Sequence, residues 1–462
     1  MRLTVASAAV LALLSSTALA DTLRMALTQA YQNNPLLNAQ RAAVRVTDEG
    51  VPQALSGYRP RISLSASIAE QYLDSLTKST TTTGAPYTST SGATAVQSYG
   101  GTVTQTLLNG FQTASRTRQA EQLVSAGRET LRLTEQTVLF AAATAYMNLI
   151  RDDAILQLQR SNVEVLQEQL RQVRDRFNVG EITRTDVAQA ESRLAAGRST
   201  MLSAESNLTT SRATYRQVIG VDPGKLAPAS PVDRLSPQAL PQGIAQARAR
   251  HPSVTTAMFN VDAAGFQVKI AESSLYPTLN LVGSAQKSYG SASSLSTLES
   301  FSGSVAGQLT IPVYQGGAEY ATIRQAKETL QQRRVDLDTA RDQVQQTLVQ
   351  SWGQLEAAKA QIEATQAQVS ASEIALNGVR EEARVGQRTT LDVLNAQQEL
   401  VNARVALVTA QRDRVVASYA LLAAAGRLSA QVLQLDVPIY DPAVHYHQVR
   451  DTWVGVRTPD GK

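Results

Sequence analysis

The sequence predicts a mostly α fold with a β-barrel part: long coiled-coil helical hairpins, four strands, and an internal duplication that writes one unit twice. Three observations predict it. The chain matches itself at constant offsets, two proline-free windows carry heptad stripes, and the segments ahead of those windows alternate with a period of two.

The duplication is read from paired motifs. Asn34-Pro35 and Tyr58-Arg59-Pro60 match His251-Pro252 and Leu275-Tyr276-Pro277 at an offset of about 217. Further on, Asn109-Gly110 matches Gln315-Gly316, Val179-Gly180 matches Val385-Gly386, Asp186-Val187 matches Asp392-Val393, and Gly220 matches Gly426, at about 206. The difference of roughly eleven residues falls in the Thr/Ser/Gly stretch 77–98, which predicts a longer loop in the first half. Prolines and glycines crowd into 223–241 and mark the join. The organisation expected is a signal peptide at 1–20, a first repeat at 21–222, the linker 223–241, a second repeat at 242–436 and a tail at 437–462. Each repeat begins with a leading helix, 23–56 or 241–274.

The helical hairpins are predicted at 112–220 and 317–428. No proline occurs in 87–222 or 313–437, and both windows are rich in Gln, Ala, Leu, Arg and Glu. One stripe runs Val138, Ala142, Ala145, Leu149, Leu156, Val163, Leu166, Leu170, Val173, Phe177, broken by Asp152 and Gln159. The other runs Val344, Leu348, Leu355, Ala358, Ile362, Val369, Leu376, Val379, Ala383, broken by Ser351, Thr365 and Ser372. A period of 3.5 sustained over several heptads means coiled-coil packing. A helix from Gln112 to Asn178 is on the order of 100 Å long. Gly180 and Gly386 stop these helices, and Thr185-Asp186 and Leu391-Asp392 are expected to open the returning ones.

Strands are predicted as hairpins at 60–108 and 277–313. Ile62, Leu64, Ala66 and Ile68 alternate with Ser63, Ser65 and Ser67; Val305, Leu309, Ile311 and Val313 alternate with Ser304, Gln308 and Thr310. One apolar and one small polar face suits a strand between lipid and water, and equally a half-buried soluble strand. About ten to thirteen residues per strand is the length a tilted barrel wall needs. Four strands do not close a barrel, so several chains must contribute to one.

Composition narrows the chemistry. Of 462 residues 18% are charged and 5% aromatic, with no cysteine and only His251, His445 and His447 as imidazoles. Disulfides and thiol catalysis are thereby excluded, and zinc clusters lack ligands. A net charge of +4 with no basic block argues against nucleic acid. Residues 1–20 carry Arg2, an apolar run and Ala18-Leu19-Ala20 before Asp21, the pattern of a cleaved secretory signal. No run of about 18 apolar residues follows, so a membrane crossing would have to be made by strands.

The motifs Ala30-Tyr31-Gln32-Asn33-Asn34-Pro35, Tyr58-Arg59-Pro60, Asn109-Gly110, Arg176-Phe177-Asn178-Val179-Gly180, Thr185-Asp186-Val187, Val385-Gly386-Gln387-Arg388-Thr389 and Asp392-Val393-Leu394-Asn395-Ala396 resemble the TolC family of outer-membrane efflux and secretion channels. The resemblance spans essentially the whole chain after the signal. It implies a homotrimer in the outer membrane of a Gram-negative cell, with a twelve-stranded barrel in lipid and an α-barrel of twelve helices in the periplasm. It also implies two further partners, a periplasmic adaptor and an inner-membrane ABC or proton-driven transporter, and no cofactor. The tail Tyr440-Asp441-Pro442 with His445, Trp453 and Gly455 looks like that of members paired with type I secretion. The alternative reading is a soluble periplasmic coiled-coil adaptor or structural spacer.

No catalytic set is expected. His445 and His447 have no carboxylate or thiol cluster in sequence around them, and Gly316-Gly317 lacks a phosphate-loop pattern. By the resemblance, Thr185, Asp186 and Arg388 form links that hold the periplasmic entrance closed, and Asp392 stands at an acidic ring position. Two positions depart from the family: its gating tyrosine is Ala383 here and a second acidic ring position is Asn395. Val179, Gly180, Glu181, Val385, Gly386 and Gln387 are the expected adaptor contacts, for which helix termination alone would also account.

Overall fold

The computed structural model describes residues 21–78, 87–290, 299–459 and 461; the expected signal peptide lies outside them. The leading helix of each repeat is broken in two. Helices α1 (Leu23–Asn33) and α2 (Pro35–Asp48) are followed by the short α3 (Gly50–Leu55), and in the second repeat α6 (Leu240–Arg250) is followed by α7 (Pro252–Glu272). Proline lacks the N–H a continuing helix needs and pushes the preceding residue out of the α region, so Asn34 and His251 take extended ψ values of 122° and 133°. Each then caps the next helix. Asn34 Oδ1 accepts from the N–H of Leu36 at 2.9 Å, and His251 Nδ1 accepts from that of Ser253 at 3.2 Å.

The long helices α4 (Gln112–Asn178) and α8 (Ala318–Arg384) have 67 residues each and return as α5 (Arg184–Ile219) and α9 (Thr390–Ala424). Their stripes form the cores. Val163, Leu166, Leu170 and Val173 of α4 pack with Ala190 and Leu194 of α5 and Leu394 of α9, while Val369 and Leu376 of α8 pack with Leu400 and Ala403 of α9. The polar breaks Asp152, Ser351 and Thr365 also face inward; Asp152 is held by Arg151 Nε at 2.8 Å and by the Ser211 hydroxyl. Phe177 departs from its stripe and is exposed.

Strands β1 (Arg61–Lys78), β2 (Tyr87–Asn109), β3 (Thr278–Gly290) and β4 (Glu299–Thr310) form one antiparallel sheet in sequence order. The expected loop at 77–98 is mostly strand: β1 and β2 pair continuously from Arg61–Thr104 to Lys78–Tyr87 and run past the end of β3. Thr and Ser dominate that stretch, and β-branched threonine suits a strand even where the composition looks like a linker. Only 79–86 of it lies outside the described residues. At the other end β4 stops at Thr310, short of Ile311 and Val313, because Pro312 has no N–H for the ladder. A bulge at Leu107 interrupts the β2–β3 register beside the helix junction.

The chain divides into two compact units. One takes the described residues through Ala42 with Glu129–Thr255 and Ala340–Tyr440; it holds the hairpin tips and both helix closures at Gly220 and Gly426, whose φ values are 90° and 72°. The other takes Ala43–Arg128, Thr256–Thr339 and the tail from Asp441, and holds the sheet. In it Val268 and Ala271 of α7 pack on Ile323 and Ala326 of α8, and helix α10 (Ala443–Val449) docks through His445, whose Nδ1 lies 3.0 Å from Asp48 Oδ2.

Candidate gate and docking turns at the hairpin tips

Both tips are built by the same backbone device. After α4, the N–H of Gly180 bonds to the carbonyl of Phe177 and that of Glu181 to Arg176; after α8, Gly386 bonds to Ala383 and Gln387 to Glu382. This paired closure requires a left-handed residue, and both glycines have φ 80°. A Cβ at either would meet nothing within 4 Å, so the glycines are needed for conformation and not for space. Beside them Val179 and Val385 are 78% and 70% exposed, which leaves an apolar side chain at each apex with nothing covering it.

The returning helices open two residues earlier than expected. Their N-caps are Thr183 and Thr389, not the residues before Asp186 and Asp392. Asp186 Oδ2 accepts from the Thr183 N–H at 3.0 Å and from its hydroxyl at 2.7 Å; Asp392 Oδ2 accepts likewise from Thr389 at 3.0 and 2.8 Å. These are reciprocal capping boxes, and the T-x-x-D spacing that announces them is present twice in the sequence. The hydroxyl and amide of Thr183 hold the Asp186 carboxyl below the usual carboxylate range, and those of Thr389 do the same for Asp392. Both carboxylates are charged at neutral pH, next to the positive ends of their helices.

Charged pairs brace each turn within itself. Arg176 Nη2 reaches Glu181 Oε1 at 2.6 Å in the first tip, and Arg388 Nε reaches Glu382 Oε2 at 2.8 Å in the second. The guanidinium of Arg176 lowers the Glu181 carboxyl, and Glu382 raises Arg388. Of the predicted gate residues, therefore, Thr185 and Asp186 lie together on α5, Arg388 and Asp392 lie together on the second tip, and Arg388 bonds neither Thr185 nor Asp186 within the chain. Near the tips the two hairpins are joined by a bond that the motifs do not announce: Arg193 Nη2 of α5 donates to Asn395 Oδ1 of α9 at 2.6 Å, beside buried Leu394; further along, Arg412 Nε of α9 donates to Asn148 Oδ1 of α4 at 2.8 Å. The family resemblance marks Asn395 only as a missing acid. Its neutral amide oxygen accepts the arginine without needing a charge.

Nothing here resembles a catalytic centre, and no group of three or more metal-ligating side chains is found among the described residues. No helix of the described residues is long and apolar enough to cross a membrane. The sheet supplies the other functional surface. Its register places Ile62, Val103, Gly283 and Val305 in one row and Leu64, Gly101, Ala285 and Gly303 in another, all on one face. On the opposite face Ser63, Thr102, Ser284 and Ser304 share a row, and so do Ser67, Ser98, Ser288 and Ser300. Hydroxyls bond across this face, Ser67 to Ser98 at 2.7 Å and Ser284 to Ser304 at 2.9 Å. Leu64, Ile68 and Val305 of the apolar face are 86%, 76% and 78% exposed.

A sheet sorted in this way, joined to duplicated coiled-coil hairpins with small braced turns, defines a subunit of an outer-membrane channel and not an enzyme. The outer membrane efflux protein family matches residues 26–221 and 243–427, and the chain belongs to that family. Its location is accordingly the Gram-negative outer membrane. The outer membrane efflux protein BepC of Brucella suis is 43% identical over 96% of this chain and 94% of its own length. The outer membrane protein TolC of Escherichia coli is 27% identical over 66% of this chain and 64% of its own. Among solved structures, the outer membrane protein VceC of Vibrio cholerae superposes with a TM-score of 0.71 at 20% identity, covering 87% of this chain and 96% of that one. At that identity the likeness concerns the fold.

Proposed function

We propose that three copies of this chain close one barrel in the outer membrane and act as the passive exit duct of a tripartite transport system. The observation that carries this reading is the sheet. Its two faces are sorted into apolar and hydroxyl rows, while β1 and β4 each have one unpaired edge. In hydrocarbon an unpaired edge leaves backbone groups unsatisfied at several kcal/mol each, so edges of neighbouring copies must pair. A soluble spacer would have no use for an exposed apolar face of this size, interrupted near the end of β3 by the Lys287–Glu299 pair.

Cargo passes from an inner-membrane ABC or proton-driven transporter through an adaptor that docks on the exposed turns at Val179, Gly180, Glu181 and at Val385, Gly386, Gln387. The 43% relative is an efflux protein by name, which favours small-molecule efflux; type I protein export uses the same kind of duct. The tips form the gate. In the closed trimer Asp186 and Asp392 line the narrow end, and Thr185, Asp186 and Arg388 tie neighbouring helices across copies. Arg193–Asn395 and Leu394 hold the two hairpins of one copy together on the same end.

The absence of cysteine makes the docking test clean. With Glu181→Cys the single thiol reports on the tip alone, and crosslinking in intact cells should capture an adaptor protein. Free labelling of that thiol with no adaptor captured would reject the duct reading and return the spacer.

A further inference from the structure

We propose that the C-terminal segment 453–456 is a lipid anchor that seats the base of the sheet on the phospholipid headgroup layer. The inference goes beyond the channel reading and rests on the sheet being in the bilayer.

The tail is fastened repeatedly just before this segment. Val449 of α10 is buried, His445 Nδ1 lies 3.0 Å from Asp48 Oδ2, and Arg450 Nη2 lies 3.7 Å from Glu121 Oε1. Arg59 Nη1 then donates to the carbonyl of Thr452 at 2.7 Å, and its guanidinium carbon lies 4.7 Å from the Trp453 ring centroid. Arg59 stands two residues before β1 begins, so the tail is delivered to the foot of the sheet. From there the side chains turn apolar and uncovered: Trp453 is 66% exposed, Val454 88% and Val456 100%. A tail fixed at four points and then left with its indole and valines in water is built to meet something else.

The surroundings say what. The helix–strand junctions of this unit also expose Tyr58, Phe111, Tyr276 and Tyr314. Phe111 holds φ 61°, a left-handed conformation unfavourable for a bulky side chain, at the position where the second repeat has Gly317 at φ 83°. Tyrosine and tryptophan rings with one polar edge, flanked by cations, are what a headgroup layer selects; Trp453, Tyr58, Tyr276 and Tyr314 are such rings, and Arg59, Arg61 and Arg457 are the cations here. The occupant is thus a phospholipid surface, continuous with the apolar face of the sheet.

The chain has two tryptophans, Trp352 and Trp453, so Trp352→Phe leaves the anchor as sole emitter. The full-length variant is reconstituted in phosphatidylethanolamine/phosphatidylglycerol vesicles containing a lipid with a spin-labelled headgroup. Loss of Trp453 emission to the headgroup label, with protection from aqueous iodide, is the result expected. Quenching by iodide and not by lipid marks a free tail, and protection from both marks coverage by a neighbouring copy; either overturns the proposal. A companion protein with Ile68→Trp, Trp352→Phe and Trp453→Phe is read against chain-brominated lipid. If that reporter is quenched and Trp453 is not, the anchor alone falls; if neither is quenched, the transmembrane reading falls with it.

Discussion

His251 shows how one side chain couples this fold to pH. Its Nδ1 accepts the Ser253 N–H, and burial depresses its pKa below the ordinary 6.5. Because the folded value lies below the unfolded one, the stability His251 contributes is intact above about pH 6.5 and is lost as pH falls through the depressed value. His251→Asn installs the side chain that caps the equivalent helix at Asn34 and removes the titration. The melting midpoint of wild type should therefore fall more between pH 7.5 and 5 than that of the variant; parallel curves would count against the cap. At the tips, Thr389→Ala removes an N-cap and should cost about 1 kcal/mol, read as faster amide exchange in the first turn of α9. Both caps could have been read from sequence. The T-x-x-D spacing is masked because Thr185-Asp186 also matches a family motif, and His251 stands where the other repeat has the capping residue Asn34.

Elements were legible where one period runs long. The two 67-residue helices begin and end within a residue of where their glycines and heptads put them, since proline-free coiled-coil sequence offers no competing structure. Breaks inside the shorter helices at Asn34 and His251 are stated locally by the prolines that follow, even though the helical pattern continues across them. Composition alone predicts a loop at 87–98, whereas the partner strand and register decide that segment, and these are not local properties. The sorted faces give a direct prediction. Leu64→Arg puts a charge on the lipid face and should lower barrel stability by about 2–4 kcal/mol, while Ser65→Arg on the hydroxyl face should leave stability nearly unchanged and shift ion selectivity. Urea titration of the two variants in lipid, alongside reversal potentials, checks both; equal losses would mean the faces are assigned wrongly.

For the whole molecule, what one chain cannot contain is the contact between copies. The duplication, the family and the strand count were all readable, but the ties expected between Arg388 and Thr185 or Asp186 are not made within this chain, where Arg388 bonds Glu382. In the proposed assembly, Arg388→Ala and Asp186→Ala free the entrance and should each raise single-channel conductance in planar bilayers; no change in either would remove these residues from the gate. The Arg193–Asn395 bond predicts a smaller gain for Arg193→Ala, because it joins hairpins of the same copy. All of this depends on several chains sharing one barrel. The most direct measurement is the native mass of the detergent-extracted, unheated protein: three copies per particle, released only with detergent, is the outcome the account predicts. A single chain or a pair per particle, or release into the soluble periplasmic fraction, would contradict it.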